Sequence, residues 1–167
     1  KGVVGTLMTN LGLELALRKL EVPFDRAKVG DRYVFEKLMA HGWSLGGEGS
    51  GHLLVLDRHS TGDGIVSALQ VLRAIKALNK PLASILEPVQ MLPQVLKNAR
   101  LPANYLWSED KQLQACIETV KQSLGDTGRL LIRPSGTEPV LRVMVEAQDR
   151  DLAERMVLRI LEALPRA

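Results

Sequence analysis

The sequence predicts two α/β-type domains in a chain of 167 residues. Residues 1–88 read as an α/β mixed-sheet domain, incomplete at its N-terminus. Residues 89–167 read as a small α+β domain with helices packed on one face of a sheet. Three observations predict this. Short apolar strands alternate with segments of 3.6-residue period in the first half, which calls for parallel pairing. The second half runs β-α-β-β-α. Between the halves, Pro81, Pro88 and Pro93 interrupt both periodicities, placing the boundary near Pro88. A 46% hydrophobic content suffices for packed cores.

Taken in order, Val3 to Met8 reads as a buried strand and Leu11 to Leu20 as a helix. Pro23 separates these from a strand over Phe24 to Val29. Asp31 follows Gly30 as a helix cap, and its helix runs to Ala40. Trp43 to Leu45 and Leu53 to Leu56 complete the first set of strands. Ser60-Thr61-Gly62-Asp63-Gly64 then opens a long helix whose apolar stripe is Ile65, Ala68, Leu69, Leu72, Ile75 and Leu78. Ser67, Gln70, Arg73 and Lys76 face outward in this reading. Asp63 reads as the cap of that helix rather than a metal ligand, since no second carboxylate stands at ligand spacing.

After a short turn at Leu82 to Leu86, Gln94 to Leu101 reads as a strand. Glu109 to Leu124 carries Leu113, Ile117, Val120 and Leu124 on one helical face. Arg129 to Arg133 and Val140 to Glu146 are strands, the second with Leu141, Val143 and Val145 on one side and Val140, Arg142, Met144 and Glu146 on the other. A final helix spans Asp149 to Leu164. No internal repeat and no low-complexity segment occurs.

Composition narrows the function classes. Net charge is +3, acidic and basic residues interleave, and there are two Trp, two Tyr and two Phe. A nucleic-acid surface calls for a concentrated basic patch with stacking aromatics, so no nucleic-acid partner is expected. No run is apolar enough to span a membrane. The single cysteine, Cys116, excludes a disulfide within the chain and suits a reducing cytoplasm. It is expected to pack rather than react. Lys1 has no Met before it and an apolar run follows at once, so a piece of a longer protein is expected. The sequence leaves the oligomeric state open.

Two stretches carry chemistry. Arg133-Pro134-Ser135-Gly136-Thr137-Glu138-Pro139, running into Val140-Leu141-Arg142, is a Ser-Gly-Thr turn between two strands, flanked by arginines. Its backbone N–H groups, its hydroxyls and two guanidinium forks supply the donors and charge that a phosphate dianion needs. An ordinary turn with solvated arginines is the plain alternative. Gly46-Gly47-Glu48-Gly49-Ser50-Gly51-His52 brings backbone close to a ligand. It offers a carboxylate, a hydroxyl and an imidazole. A flexible turn is its plain alternative. The spacing is not a dinucleotide fingerprint, because no helix opens after it.

These stretches, with Thr61-Gly62-Asp63-Gly64 between them, together resemble the C-terminal half of an α-D-phosphohexomutase. The flanking segments Gly2 to Glu14, Ala27 to Val34 and Leu141 to Glu146 resemble the bacterial phosphoglucosamine mutase branch. The resemblance covers essentially the whole chain. It implies an isomerase with four domains around one cleft, moving a phosphoryl group between the 6- and 1-positions of glucosamine. A phosphoserine in the first domain and Mg²⁺ on the second serve that transfer. The chain would be the third and fourth domains. Glu48 and Ser50 would contact sugar hydroxyls and His52 would line the same cleft, with a general-base role conceivable for it. Arg133, Ser135, Gly136, Thr137 and Arg142 would clamp the phosphate that is not transferred. Arg32 would face the cleft.

In the intact enzyme the fourth domain is expected to swing to close the cleft, with the hinge near Pro81 to Pro93. The resemblance also implies that the phosphosugar substrate and the enzyme's own N-terminal domains are the partners, and that the product feeds cell-envelope precursors. Two departures stand out. The family usually carries Asn or Gln where this chain has Gly49, and neither a Ser-His-Asn nucleophile loop nor an Asp-Gly-Asp metal loop is present. The chain alone is therefore expected to hold no Mg²⁺ and to bind without turnover. A phosphomannomutase or phosphoglucomutase shares both loops, and a non-catalytic anion-binding module is the alternative outside enzymes.

Overall fold

The computed structural model describes residues 1–135 and 138–165. It divides into two compact units, Lys1–Met91 and Leu92–Ala167.

The first unit runs β1 (Val3–Thr6), α1 (Leu11–Lys19), β2 (Phe24–Ala27), α2 (Asp31–His41), β3 (Leu45–Gly47), β4 (Leu53–Val55), α3 (Gly64–Leu78) and α4 (Leu82–Leu86). Its sheet has the order β2-β1-β3-β4. β1 pairs parallel with β2 and β3, and β4 is antiparallel to β3. The mixed sheet matches the expectation. Val4, Ala27 and Leu54 of the sheet and Val34 and Leu38 of α2 form its buried core.

β3 begins later than the Trp43–Leu45 reading and takes in the first two glycines. A β-carbon at Gly46 would sit 2.7 Å from Val34 Cγ1 and 2.8 Å from the Val4 carbonyl oxygen. Glycine is what lets α2 and β1 close on that strand. Trp43 is drawn out of the strand and stacks on His41, ring centroids 4.4 Å apart.

α3 also departs from its expected orientation. Its one buried residue is Ser67, whose hydroxyl donates to the carbonyls of Leu53 (3.0 Å) and Asp63 (2.8 Å). Ile65, Leu69 and Leu72 are 76%, 57% and 60% exposed. The apolar stripe exists, but it does not face the sheet; the small, hydrogen-bonding face does. Asp63 caps the helix as expected, accepting from the amides of Ile65 (2.8 Å) and Val66 (2.9 Å).

The second unit runs β5 (Gln94–Arg100), α5 (Lys111–Leu124), a 3₁₀ turn (Gly125–Thr127), β6 (Arg129–Pro134), β7 (Val140–Glu146) and α6 (Arg150–Glu162). The strands form an antiparallel sheet of order β5-β7-β6. Leu113, Ile117, Val120 and Leu124 of α5 and Ala153, Val157 and Ile160 of α6 pack with Val95, Leu141, Val143 and Val145 in one core. Both helices therefore cover one sheet face, and alternation turns the other side chains of β5, β6 and β7 to the opposite face. Asp110 and Asp149 cap the two helices, each holding an amide that would otherwise lack a partner. Cys116 is half-buried, and its thiol lies 3.6 Å from the Arg159 carbonyl. Among the described residues no helix is long and apolar enough to cross a membrane.

Candidate functional site

In the first unit the site is built on the loop between β3 and β4. The Glu48 amide donates to the His52 carbonyl (3.0 Å), and the Gly51 amide donates back to the Glu48 carbonyl (3.1 Å). Gly51 has φ +99°, a value that closes the loop and that favours glycine. This tight turn draws Glu48, Ser50 and His52 together. Ser50 Oγ donates to Glu48 Oε1 at 2.7 Å, and His52 Nδ1 lies 3.1 Å from the same oxygen and 3.0 Å from Ser50 Oγ.

The second oxygen, Oε2, accepts from the Gly30 amide at 3.0 Å. That donor comes from the start of α2, where Gly30 at φ +124° is the cap residue and makes no side-chain cap hydrogen bond. Asp31, expected as the cap, is instead the first residue of the helix. The Glu48 side chain is 9% exposed. The hydrogen bond from Ser50, against the cost of burial and with help from His52 and Gly30, holds its carboxyl below the usual range.

This network also sets the histidine tautomer. With a carboxylate oxygen facing Nδ1, the proton sits on Nδ1 and the neutral ring offers Nε2 as an acceptor. Gly62 forms one wall, since a β-carbon there would lie 3.1 Å from His52 Cδ2. At Gly49 a β-carbon would meet nothing within 4 Å. Arg32 reaches no member of this cluster and instead donates to Glu36 along its own helix at 2.9 Å.

In the second unit the site is the hairpin of β6 and β7. Arg133 and Arg142 stand directly opposite each other in register, on the face away from α5 and α6. Arg142 Nη2 lies 3.5 Å from Ser135 Oγ, and the Ser135 amide donates to the Val140 carbonyl at 2.9 Å. Among the described residues, the Nε atoms of both arginines are buried without a hydrogen-bond partner. Neither guanidinium has an ion pair among the described residues. Facing β-carbons on adjacent antiparallel strands lie about 5 Å apart, and like charges so placed are destabilising. The pair has the donors and charge of an anion site. Gly136 and Thr137, also expected in the clamp, lie outside the described residues.

A further groove of about 670 Å³ runs along β2 and α2, lined among others by Asp25, Lys37 and His41. Asp25 Oδ2 lies 2.9 Å from Lys37 Nζ and 2.7 Å from His41 Nε2. Burial raises the Asp25 carboxyl, but hydrogen bonds from Lys37 and His41 outweigh it and bring the group to about 2. Sequence reading missed this cluster, because nothing in the local pattern links Asp25 to the last turn of α2. It missed the Gly30 donor for the same reason. Among the described residues no group of three or more His, Cys, Asp or Glu gathers as metal ligands.

Residues 1–92 match a family model described as phosphoglucomutase/phosphomannomutase, alpha/beta/alpha domain III. Residues 96–163 match one described as phosphoglucomutase/phosphomannomutase, C-terminal domain. A phosphoglucosamine mutase of Delftia acidovorans is 60% identical over 159 residues, 95% of this chain and 36% of the relative. One of Methylibium petroleiphilum is 57% identical over 166 residues, 99% of this chain and 36% of the relative. The chain thus spans little more than a third of the length of these curated relatives.

In fold, it is similar to a crystal structure of Aspergillus fumigatus N-acetylphosphoglucosamine mutase in complex with GlcNAc-6P and magnesium. That match has a TM-score of 0.77 at 20% identity and covers 97% of this chain and 41% of the other. A phosphoglucomutase/phosphomannomutase family protein from Burkholderia thailandensis gives a TM-score of 0.70 at 19% identity, covering 97% and 36%. With domain III and the C-terminal domain matched in succession, the chain belongs to the phosphoglucomutase/phosphomannomutase family of α-D-phosphohexomutases.

Proposed function

We propose that the chain supplies sugar recognition and phosphate clamping to a phosphoglucosamine mutase, which interconverts glucosamine 6-phosphate and glucosamine 1-phosphate. The observation that carries this reading is the Arg133–Arg142 pair, two facing guanidinium groups with buried, unpartnered Nε atoms. A phosphate dianion answers both the repulsion and the missing acceptors. Ser135, Gly136 and Thr137 complete the clamp in this proposal. The boundary near Pro88 separates this phosphate-binding part, residues 89–167, from a sugar-recognition part, residues 1–88.

In that first part, Ser50 and the Nε2 of His52 meet sugar hydroxyls. Glu48 keeps one or two lone pairs for the ligand while Ser50, His52 and Gly30 hold its carboxylate. The phosphoserine that donates the phosphoryl group and the Mg²⁺ of the complete enzyme come from its N-terminal domains. The close phosphoglucosamine mutase relatives support glucosamine as the sugar.

Calorimetric titration of the chain with glucosamine 6-phosphate, glucose 6-phosphate, mannose 6-phosphate and inorganic phosphate tests this. Tightest binding of glucosamine 6-phosphate is expected. Preference for glucose or mannose 6-phosphate would move the assignment to a phosphoglucomutase or phosphomannomutase. Equal affinity for all four would leave a plain anion-binding module.

A further inference from the structure

The cationic row on the helix-free sheet face does not stop at the hairpin. β5 lies on the other side of β7, and its register places Asn98 directly opposite Arg142 and Arg100 opposite Val140. Ala99, between them, packs into the helix-side core, so Asn98 and Arg100 share the face of Arg133 and Arg142. Three strands thus carry one row: Asn98, Arg142, Arg133. With strands about 4.8 Å apart, a phosphate held between the two arginines leaves the rest of its ester to extend over Asn98. The neighbouring row, Leu96, Met144 and Leu131, is apolar. The row beyond it ends in a closed ion pair, Arg129 Nε to Glu146 Oε2 at 3.0 Å. Unbalanced charge is therefore confined to one end of this face, and Arg100 adds to it. Neither Asn98 nor Arg100 makes a side-chain hydrogen bond or ion pair among the described residues.

We infer that Asn98 and Arg100 belong to the same anion site, and that Asn98 selects phosphorylated sugars over free phosphate by hydrogen-bonding a hydroxyl of the ester. The inference rests on the phosphate-site reading above. An amide is suited to this because it donates and accepts, as a hydroxyl does. Arg100 attracts the dianion without selecting among esters. β5 is an edge strand, and edge charges also prevent pairing with other chains. Lys97 and Arg100 serve that purpose, but it gives no reason for a neutral amide beside the guanidinium row.

The test is titration of the chain and of N98A, N98D and R100Q with inorganic phosphate and glucosamine 6-phosphate, with a thermal melt of each variant as the folding control. N98A is expected to leave phosphate affinity within about twofold and to weaken the sugar phosphate about 3- to 10-fold, the range of one hydrogen bond. N98D, which sets a carboxylate beside Arg142, is expected to lose both ligands. R100Q is expected to weaken both about 2- to 5-fold, with a flatter salt dependence. If the unaltered chain binds both ligands and N98A binds them alike, or loses them in equal proportion, the extension is wrong and the clamp stands. If the unaltered chain binds neither, the clamp reading falls and this one with it.

Discussion

Replacing Arg133 with Met separates a binding arginine from a structural one. In the free chain, the Arg133–Arg142 pair faces across the hairpin with both Nε atoms buried and unpartnered. A buried donor left without an acceptor costs about 1–3 kcal/mol. Two like charges at such range repel by roughly 1–4 kcal/mol between water and a protein-surface dielectric, and partial exposure of both side chains brings the sum to the low end. Methionine keeps most of the aliphatic stem and removes one charge and one orphan donor.

R133M is therefore expected to stabilise the free second unit by about 1–2 kcal/mol, or roughly 4–16 °C in a unit this size. It should also abolish the stabilisation that saturating phosphate gives the unaltered chain, about 2.7 kcal/mol at a hundredfold excess over Kd. Each unit carries one tryptophan, Trp43 in the first and Trp107 in the second. Urea denaturation on a W43F background therefore reads the second unit by fluorescence, with and without phosphate. Loss of more than about 1 kcal/mol in phosphate-free R133M would refute the reasoning, since the arginine would then be held by contacts that satisfy it.

Three further expectations follow from the first unit. Ala at Gly30 must take up φ +124°, which costs about 1–3 kcal/mol, and any relaxation moves the amide that holds Glu48. G30A should raise the Glu48 carboxyl toward the ordinary value, shifting the acid limb of sugar-phosphate binding to higher pH while free phosphate binding stays unchanged. G49N meets no neighbour at its β-carbon and restricts the unfolded chain. It should stabilise the first unit by about 0.4–1 kcal/mol and tighten the sugar loop, which hydrogen exchange at Ser50 and Gly51 reports. Asp25 titrates at about 2, below its unfolded value. Its stabilisation is present above roughly pH 4 and is lost as pH falls toward 2. With the side chain 36% exposed, screening leaves about 1 kcal/mol, and D25N should remove that part of the acid dependence of stability.

Much of this architecture is legible in the sequence because it is local. Period-2 and period-3.6 patterns locate strands and helices, and Asp63, Asp110 and Asp149 mark helix starts by the hydrogen bonds a cap must make. The strand–turn–strand around Ser135 is readable for the same reason. What the sequence hides depends on partners far along the chain. Gly46 and Gly47 look like loop, but the former is strand because Val34 and Val4 crowd it. The stripe on α3 is visible, whereas its direction is set by Ser67 bonding to Leu53. The Gly30 amide reaches Glu48 across eighteen positions. Asn98 joins the arginine row only through the β5–β7 register.

The most direct test of the central claim follows the Arg133 and Arg142 Nε–H groups by NMR while glucosamine 6-phosphate is added, with inorganic phosphate as a second titration. Both signals are expected to shift downfield and exchange more slowly with either ligand, as the orphan donors gain an acceptor. Signals from Glu48 to His52 should move with the sugar phosphate alone. Nε–H signals unchanged at saturating concentrations of both ligands would contradict the assignment of this face as the phosphate clamp.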